Sequence, residues 1–378
     1  MQRHRLTPRP DWAEKVEQLG LVWHTASGAP YWNEAACYSF TAAEIDEIDA
    51  ATRTLYSMFL EAGEYVVKHR LFDRFAIPDW CRPLIAESWM AEPPALNYGR
   101  FDLGYDGRGP PKLFEFNCDT PTSLLEAAVI QWAWKEEVFP NNDQFNSLHE
   151  QLVAKWRDIG PYLAPNTPVH FSHARESTGE EAVTTAYLMD TARTAGLAAQ
   201  DILISDIGWD GRRFVDLERR EIRTLYHLYP WEWLVKEPFG RHLVDTRDRT
   251  LWIEPIWKMI WSNKAILPIL WDLFPRHANL LWATRDKPAS DSFAQKPILA
   301  REGANIRLVR YGHEIAAKDG AYAAAPVIYQ GLYDLPDFDG ARPVIGSWIV
   351  DGEPAGIGVR EDGLITGNLA RFTPHVMD

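Results

Sequence analysis

Cysteine is scarce in this chain: 378 residues contain three, Cys37, Cys81 and Cys118. An odd count at wide spacings excludes a disulfide scaffold and matches no zinc-binding pattern. It predicts a reducing, cytoplasmic setting. Long apolar runs are missing too. No stretch reaches about 18 uncharged apolar residues, so no transmembrane helix is expected. The basic start MQRHRLTPRPDW has no apolar run behind it and does not read as a signal peptide. Positive charge is in deficit, with 39 Lys and Arg against 53 Asp and Glu and a net charge of −14. Such an acidic chain argues against nucleic acid as a partner and is compatible with cationic ones such as amines. Neither G-x-x-x-x-G-K-[ST] nor G-x-G-x-x-G occurs, which removes the P-loop and Rossmann readings. There is no internal repeat and no low-complexity tail.

Tryptophan, by contrast, is abundant, with 17 residues, many in runs such as 132–134, 231–233 and 256–261. Packing in cores and between lobes accounts for most of them, with stacking on a ligand open for one or two. The length predicts two or three lobes. Residues 41–70 read as a helix, opened by a capping box at Thr41 and Glu44 and continued by apolar residues three and four apart. Residues 97–117 change period to strand, turn, strand. A helix over 122–138 follows. Strand 168–173, a helix ending at Gly196 and strand 201–206 predict a small α/β layer, with a hairpin after it. The last third, from about 246, reads as helical to 274 and then as a twisted antiparallel sheet. The predicted class is α/β to α+β, divided at 1–160, 161–245 and 246–378.

The hairpin carries the chemistry. Side chains alternate faces along a strand. Glu115 and Asn117 therefore share one face while Phe114 and Phe116 share the other. Arg100 and Asp102 do the same on the partner strand. If the polar faces coincide, two carboxylates, an amide and an arginine converge. Hard oxygen donors of this kind suit Mg²⁺, which keeps waters and takes substrate phosphates as further ligands. An ordinary solvated face is the plain alternative. Thr120, Thr122 and Ser123 follow in a polar turn before a helix, where free N–H groups favour an anion or simply a cap. Lys264 and Lys296 are candidate phosphate cations, with Lys258 nearby. Lys296 precedes a glycine-bearing loop, Arg301 to Asn305, able to fold over phosphates and exclude water.

Taken in order, residues 100–127, 177–190, 228–233, 254–271, 296–306, 328–336 and 358–362 resemble the glutathionylspermidine synthase family, on its ATP-grasp synthetase domain. The resemblance covers nearly the whole chain. It implies a circularly permuted ATP-grasp fold with a pre-ATP-grasp α/β lobe, because the carboxylates precede the lysines. It implies Asp102, Glu115 and Asn117 as ligands of magnesium, two ions in all. It implies ATP as co-substrate, held by Lys264, Lys296, Gly303 and the hinge Gln330, Gly331, Leu332 and Tyr333. It assigns Arg100 and Arg360 as catalytic cations, and sets Thr120, Thr122, Glu180 and Glu181 near a glutathione-like acid and the transferred phosphate. Thr178 and Glu181 are also spaced as a capping box, which would explain Glu181 without a substrate.

The implied activity is an ATP-dependent carboxylate–amine ligase working through an acyl phosphate, with a glutathione-like acid and a polyamine-like amine. A different acid–amine pair, or a nucleotide-binding protein without catalysis, are the alternatives. A metal-dependent hydrolase would leave the lysines unexplained. The amidase domain of the two-domain members has no counterpart here, so no amidase activity is expected. The loop reads REGAN where other members differ beside the glycine, which bears on the substrate. Cys118 is expected to be structural. A homodimer is compatible with these readings and required by none.

Overall fold

The computed structural model describes all residues except 27, 177, 368 and 369. Ser177, the first residue of one resembling segment, thus lies outside the described residues. The long helix Ala42–Lys68 opens as its sequence dictates. The Thr41 hydroxyl accepts from the Glu44 N–H at 3.3 Å, and the Glu44 carboxylate accepts from the Thr41 N–H at 2.9 Å. Its apolar face, including Ile48, Leu55, Phe59 and Ala62, is buried against the back of the hairpin Gly99–Gly104 and Lys112–Asn117. Phe101 and Phe116 stack there with ring centres 3.8 Å apart, and Phe59 meets both edge-on. This apolar back fixes which face of the hairpin is left for polar work.

That hairpin is one side of a five-stranded antiparallel sheet. The order is Arg371–Thr373, Glu353–Asp362, Arg342–Val350, Gly99–Gly104, Lys112–Asn117. The strands of the last third therefore do not form one sheet, as their texture suggested. Those from 342 to 373 close onto the hairpin from the first third, and His375–Met377 pairs instead with Ala36–Phe40. Those between 283 and 330 build a second five-stranded sheet, ordered Ala283–Thr284, Val327–Gln330, Phe293–Pro297, Arg307–Arg310, His313–Ala317.

A third sheet is wholly parallel, ordered Leu251–Ile253, Thr224–Leu228, Val169–His173, Ala199–Leu203. Its helix Glu180–Thr194 crosses between Val169–His173 and Ala199–Leu203, as a parallel pair requires. The last strand stops at Leu203 and a 3₁₀ turn takes 204–206. The layer also recruits Leu251–Ile253, past residue 245. The hairpin expected after it joins Gly208–Trp209 to Phe214–Val215. Large aromatic residues fill two apolar clusters. Trp261 lies beneath the long helix, while Trp32, Trp134, Trp156 and Trp348 lie on the parallel-sheet side. A hydrogen bond of 2.7 Å between the Tyr98 and Tyr226 hydroxyls joins the central sheet's approach to the parallel layer. Among the described residues no helix is long and apolar enough to cross a membrane.

Candidate functional site

The polar face of the hairpin forms one wall of a cavity of about 760 Å³, and the second five-stranded sheet forms the opposite wall. The strand register brings the predicted residues together: Arg100 lies opposite Asn117, and Asp102 opposite Glu115. The Asn117 amide reaches Asp102 at 3.3 Å and Glu115 at 3.2 Å. Arg100 donates to Asp102 at 2.7 Å and to the Thr122 carbonyl. Arg360, reaching across from Glu353–Asp362 two strands away, donates to the other Asp102 oxygen at 2.5 Å. Gly346 makes room for this cluster, because a Cβ there would lie 2.7 Å from the Arg100 side chain.

The two lysines enter from outside this sheet. Lys264 sits 3.0 Å from the Glu115 carboxylate and donates to the Ala300 carbonyl at 2.6 Å. Lys296 donates to the Gln330 side chain at 2.7 Å, and Gln330 in turn donates to the Leu113 carbonyl at 2.9 Å. Gln330 thus ties the second sheet to the hairpin through its side chain. Burial alone would raise the Glu115 carboxyl, but Lys264 and Lys296 outweigh it and hold it down at about 2. Burial lowers the Lys296 ammonium to about 8. Four cations, Arg100, Arg360, Lys264 and Lys296, face two carboxylates here. The floor of the cavity therefore carries a formal excess of positive charge, the setting that oxyanions of a phosphate chain favour.

Among the described residues no three His, Cys, Asp or Glu side chains gather as a metal site. The candidate set is instead Asp102, Glu115 and Asn117. Two carboxylates and an amide, with no sulfur or imidazole, fit a hard cation that keeps waters and phosphate oxygens as its other ligands.

The two ends of the cavity differ. One is apolar, lined by Ala294, Ile306, Leu308 and Val344 beside the hinge Gln330 to Tyr333. The Gly331 N–H donates to the Trp282 carbonyl at 2.8 Å, and a Cβ on Gly331 would lie 2.7 Å from the Trp282 indole nitrogen. The other end is acidic, with Glu176, Glu180, Glu181 and Glu302 alongside Thr120 and Thr122. Burial, then Glu126, Glu302, Glu176 and Glu181, push the Glu180 carboxyl up to about 8. The capping box that the spacing of Thr178 and Glu181 left open does not form. The helix starts after Gly179 with no side-chain cap, and the Glu176 carboxylate takes the Glu181 N–H at 3.2 Å. The Glu181 carboxylate turns back to accept from the Ala174 N–H at 3.0 Å. A nearer acceptor displaced it.

Every residue given a metal, ATP, substrate or catalytic role from the sequence lines this cavity, Gly303 included, whereas Lys258 is buried away from it, 3.2 Å from the Glu254 carboxylate. Gly303 adopts φ +70°, and a Cβ there would lie 2.7 Å from the Thr366 carbonyl oxygen, so the loop presses close to the connection after Glu353–Asp362. Sequence reasoning missed Arg301 as an individual side chain. It donates to Glu232 at 2.9 Å and to the Thr120 hydroxyl at 2.8 Å, clasping the loop to the 228–233 segment. Both segments stood in the sequence pattern, but nothing in either shows that they touch. Trp23 and Tyr31, which also line the cavity, come from a region with no motif.

Residues 3–378 match the family model described as glutathionylspermidine synthase preATP-grasp. A Haemophilus influenzae protein named "Putative acid–amine ligase" is 39% identical over 385 residues, spanning 97% of each chain. The Escherichia coli bifunctional glutathionylspermidine synthetase/amidase is 30% identical over 93% of this chain, which spans 61% of that protein's length. Trypanothione synthetase of Crithidia fasciculata is 29% identical over 83% of this chain and 52% of its own length. A solved structure of a glutathione synthetase-like effector from Globodera pallida shares the fold at TM-score 0.59 and 10% identity, over 97% of this chain and 95% of its own.

Proposed function

Because the chain belongs to the glutathionylspermidine synthase family, we propose that it is an ATP-dependent ligase that joins a small acid to an amine through an acyl phosphate. The observation that carries this is the cation-rich floor between two sheets, with an apolar slot at one end and an acidic recess at the other. The slot fits a nucleobase beside the hinge. The floor fits a triphosphate. The recess fits a cationic amine, whose charge would relieve the crowding of Glu176, Glu180, Glu181 and Glu302. The acid lies between them, near Thr120 and Thr122. The reference pair is a glutathione-like peptide and a polyamine, taken from the names of the relatives.

In this reading Asp102, Glu115 and Asn117 would hold magnesium, which when bound neutralises phosphate oxygens. Lys264, Lys296 and Arg360 orient the γ-phosphoryl group for attack by the acid's carboxylate, with ADP leaving. Arg100 holds Asp102 in place from below. The loop Arg301 to Asn305, clasped through Arg301, excludes water from the acyl phosphate until the amine attacks and phosphate leaves. The same reading makes the fold a circularly permuted ATP-grasp. The hairpin at 99–117 precedes the second sheet in the chain, yet completes a sheet whose other strands come after that second sheet.

The test is to incubate the protein with Mg-ATP and a panel of thiol peptides and polyamines, measuring ADP and identifying products by mass spectrometry. An amide formed with stoichiometric ADP is the expected result. A panel that yields no ADP for any pair removes the ligase reading. ADP with an unforeseen pair keeps the reaction class and changes the substrates.

A further inference from the structure

Glu126 stands outside the ATP chemistry described so far and is fully buried. One of its oxygens accepts from the Tyr31 hydroxyl at 2.7 Å and from the Trp23 indole N–H at 3.2 Å. The other has no partner among the described residues. A buried acceptor left unpaired is costly to keep. The backbone around it departs from regular helix twice. Ser123 adopts φ +67°, and a π-turn over Glu126–Ile130 interrupts the helix at this residue. Departures of both kinds concentrate at functional positions. Glu126 itself does not line the cavity, but Tyr31, Trp23 and Ser123 do. The Tyr31 hydroxyl, also 3.3 Å from the Ser123 hydroxyl, is therefore the link between the acidic recess and the buried carboxylate.

We propose that Tyr31 and Glu126 form the proton exit for the amine substrate. The inference rests on the ligase reading. A polyamine nitrogen arrives as an ammonium, which has no lone pair to attack with. One N–H proton passes to the Tyr31 oxygen while the Tyr31 O–H proton passes to Glu126, whose carboxylate becomes a carboxylic acid. The neutral amine then forms the C–N bond as the acyl C–O bond to phosphate breaks. The leaving phosphate carries off the second proton, and Glu126 later returns its own to solvent. Tyr31 ends each cycle as it began.

The surroundings suit this. Burial favours the neutral form of Glu126 and holds its carboxyl above the usual range, against the Tyr31 and Trp23 hydrogen bonds and the Arg100 charge. Burial, with the charges of Glu126 and Glu180, drives the Tyr31 hydroxyl far above its ordinary value. Tyr31 therefore relays a proton without resting as a phenolate. The charged and titratable groups around the pair are Arg100 from the central sheet and Glu180 from the crossover helix, with Glu176, Glu181 and Glu302 beyond Glu180.

Two measurements test the relay. The first compares Glu126→Gln and Tyr31→Phe with the parent protein, using glutathione and Mg-ATP with either spermidine or hydroxylamine. Hydroxylamine is already neutral at neutral pH and bypasses the exit. The ratio of amide to hydroxamate should fall about 100-fold in kcat in both variants, the size of a lost general base. The loss should shrink as pH rises and free amine accumulates. An equal loss with both nucleophiles, or none, would overturn the relay. A parent protein that forms neither product would instead count against glutathione as the acid. The second needs no turnover. Infrared difference titration of the parent against Glu126→Gln should show one carboxyl changing protonation above the ordinary carboxylate range, shifted in Tyr31→Phe. A Glu126 that keeps one protonation state above that range refutes the proposal.

Discussion

The floor of the cavity and its acidic recess are built from the same kinds of side chain and behave in opposite ways. On the floor, each carboxylate has a cation against it: Asp102 has Arg100 and Arg360, and Glu115 has Lys264. The two carboxylates stand on strands whose backs are packed with Phe101 and Phe116, so their placement is held by the sheet. In the recess, Glu176, Glu180, Glu181 and Glu302 crowd one another. The guanidinium nearest them that the site offers, Arg301, is already committed to Glu232. The floor is therefore paired throughout, with cations left in excess, and in the proposed function that excess meets phosphate. The recess is incomplete and gains stability from any cation that enters it.

The sharpest way to break the floor is Glu115→Ala, which removes a proposed metal ligand and the partner of Lys264. We expect Mg-ATP turnover to fall about 1000-fold with the circular dichroism spectrum unchanged; retained turnover would refute the metal assignment. Lys296→Met should follow, with about a 100-fold loss of kcat/KM for ATP. Lys296→Arg should restore little of it, because the bulkier planar guanidinium does not fit the buried position from which the Lys296 ammonium meets Gln330.

In the recess the sign of the effect reverses. The folded-state carboxyl of Glu180 sits near 8, above its ordinary value of 4.5. The folded protein binds more protons there between these values, so this group's contribution to stability declines as pH rises through that window. Glu180→Gln should therefore raise the melting temperature by about 2 °C at pH 8.5 relative to the parent, and by less at pH 5. Spermidine should stabilise the parent more at the higher pH. A melting point that does not depend on this residue at either pH would remove the contrast between the two regions. The smallest effect belongs outside both. Thr41→Ala, at the cap of the long helix, should cost about 1 kcal/mol in denaturant unfolding and leave turnover unchanged.

The floor was legible in the sequence because a strand has a period of two. RFDLG and FEFN each assign their polar residues to one face with no further information. What the period cannot supply is register, and the pairing of Asp102 with Glu115 is a property of the folded hairpin. The partition of the last third was misread for a related reason. Strand texture does not say which sheet a strand joins, and Arg342–Val350 closes onto residues more than two hundred positions earlier. The recess was legible only in part. Glu180 and Glu181 stood out, but local spacing left a capping box open as the alternative for Glu181, and the Glu176 carboxylate takes the N–H it needed. Tyr31 lies outside every patterned segment, and Glu126, although within 100–127, sits in a helix whose π-turn no composition announces. Arg301 was read as part of a loop because its partners, Glu232 and Thr120, are distant in the chain.

The acyl phosphate is the claim on which floor and recess meet, and isotope transfer tests it without reference to any one residue. An acid substrate labelled with oxygen-18 in its carboxylate is turned over with Mg-ATP and an amine, and the released phosphate is analysed by mass spectrometry. One labelled oxygen in the phosphate for each amide formed is the predicted result. Amide formed with unlabelled phosphate would contradict the mechanism.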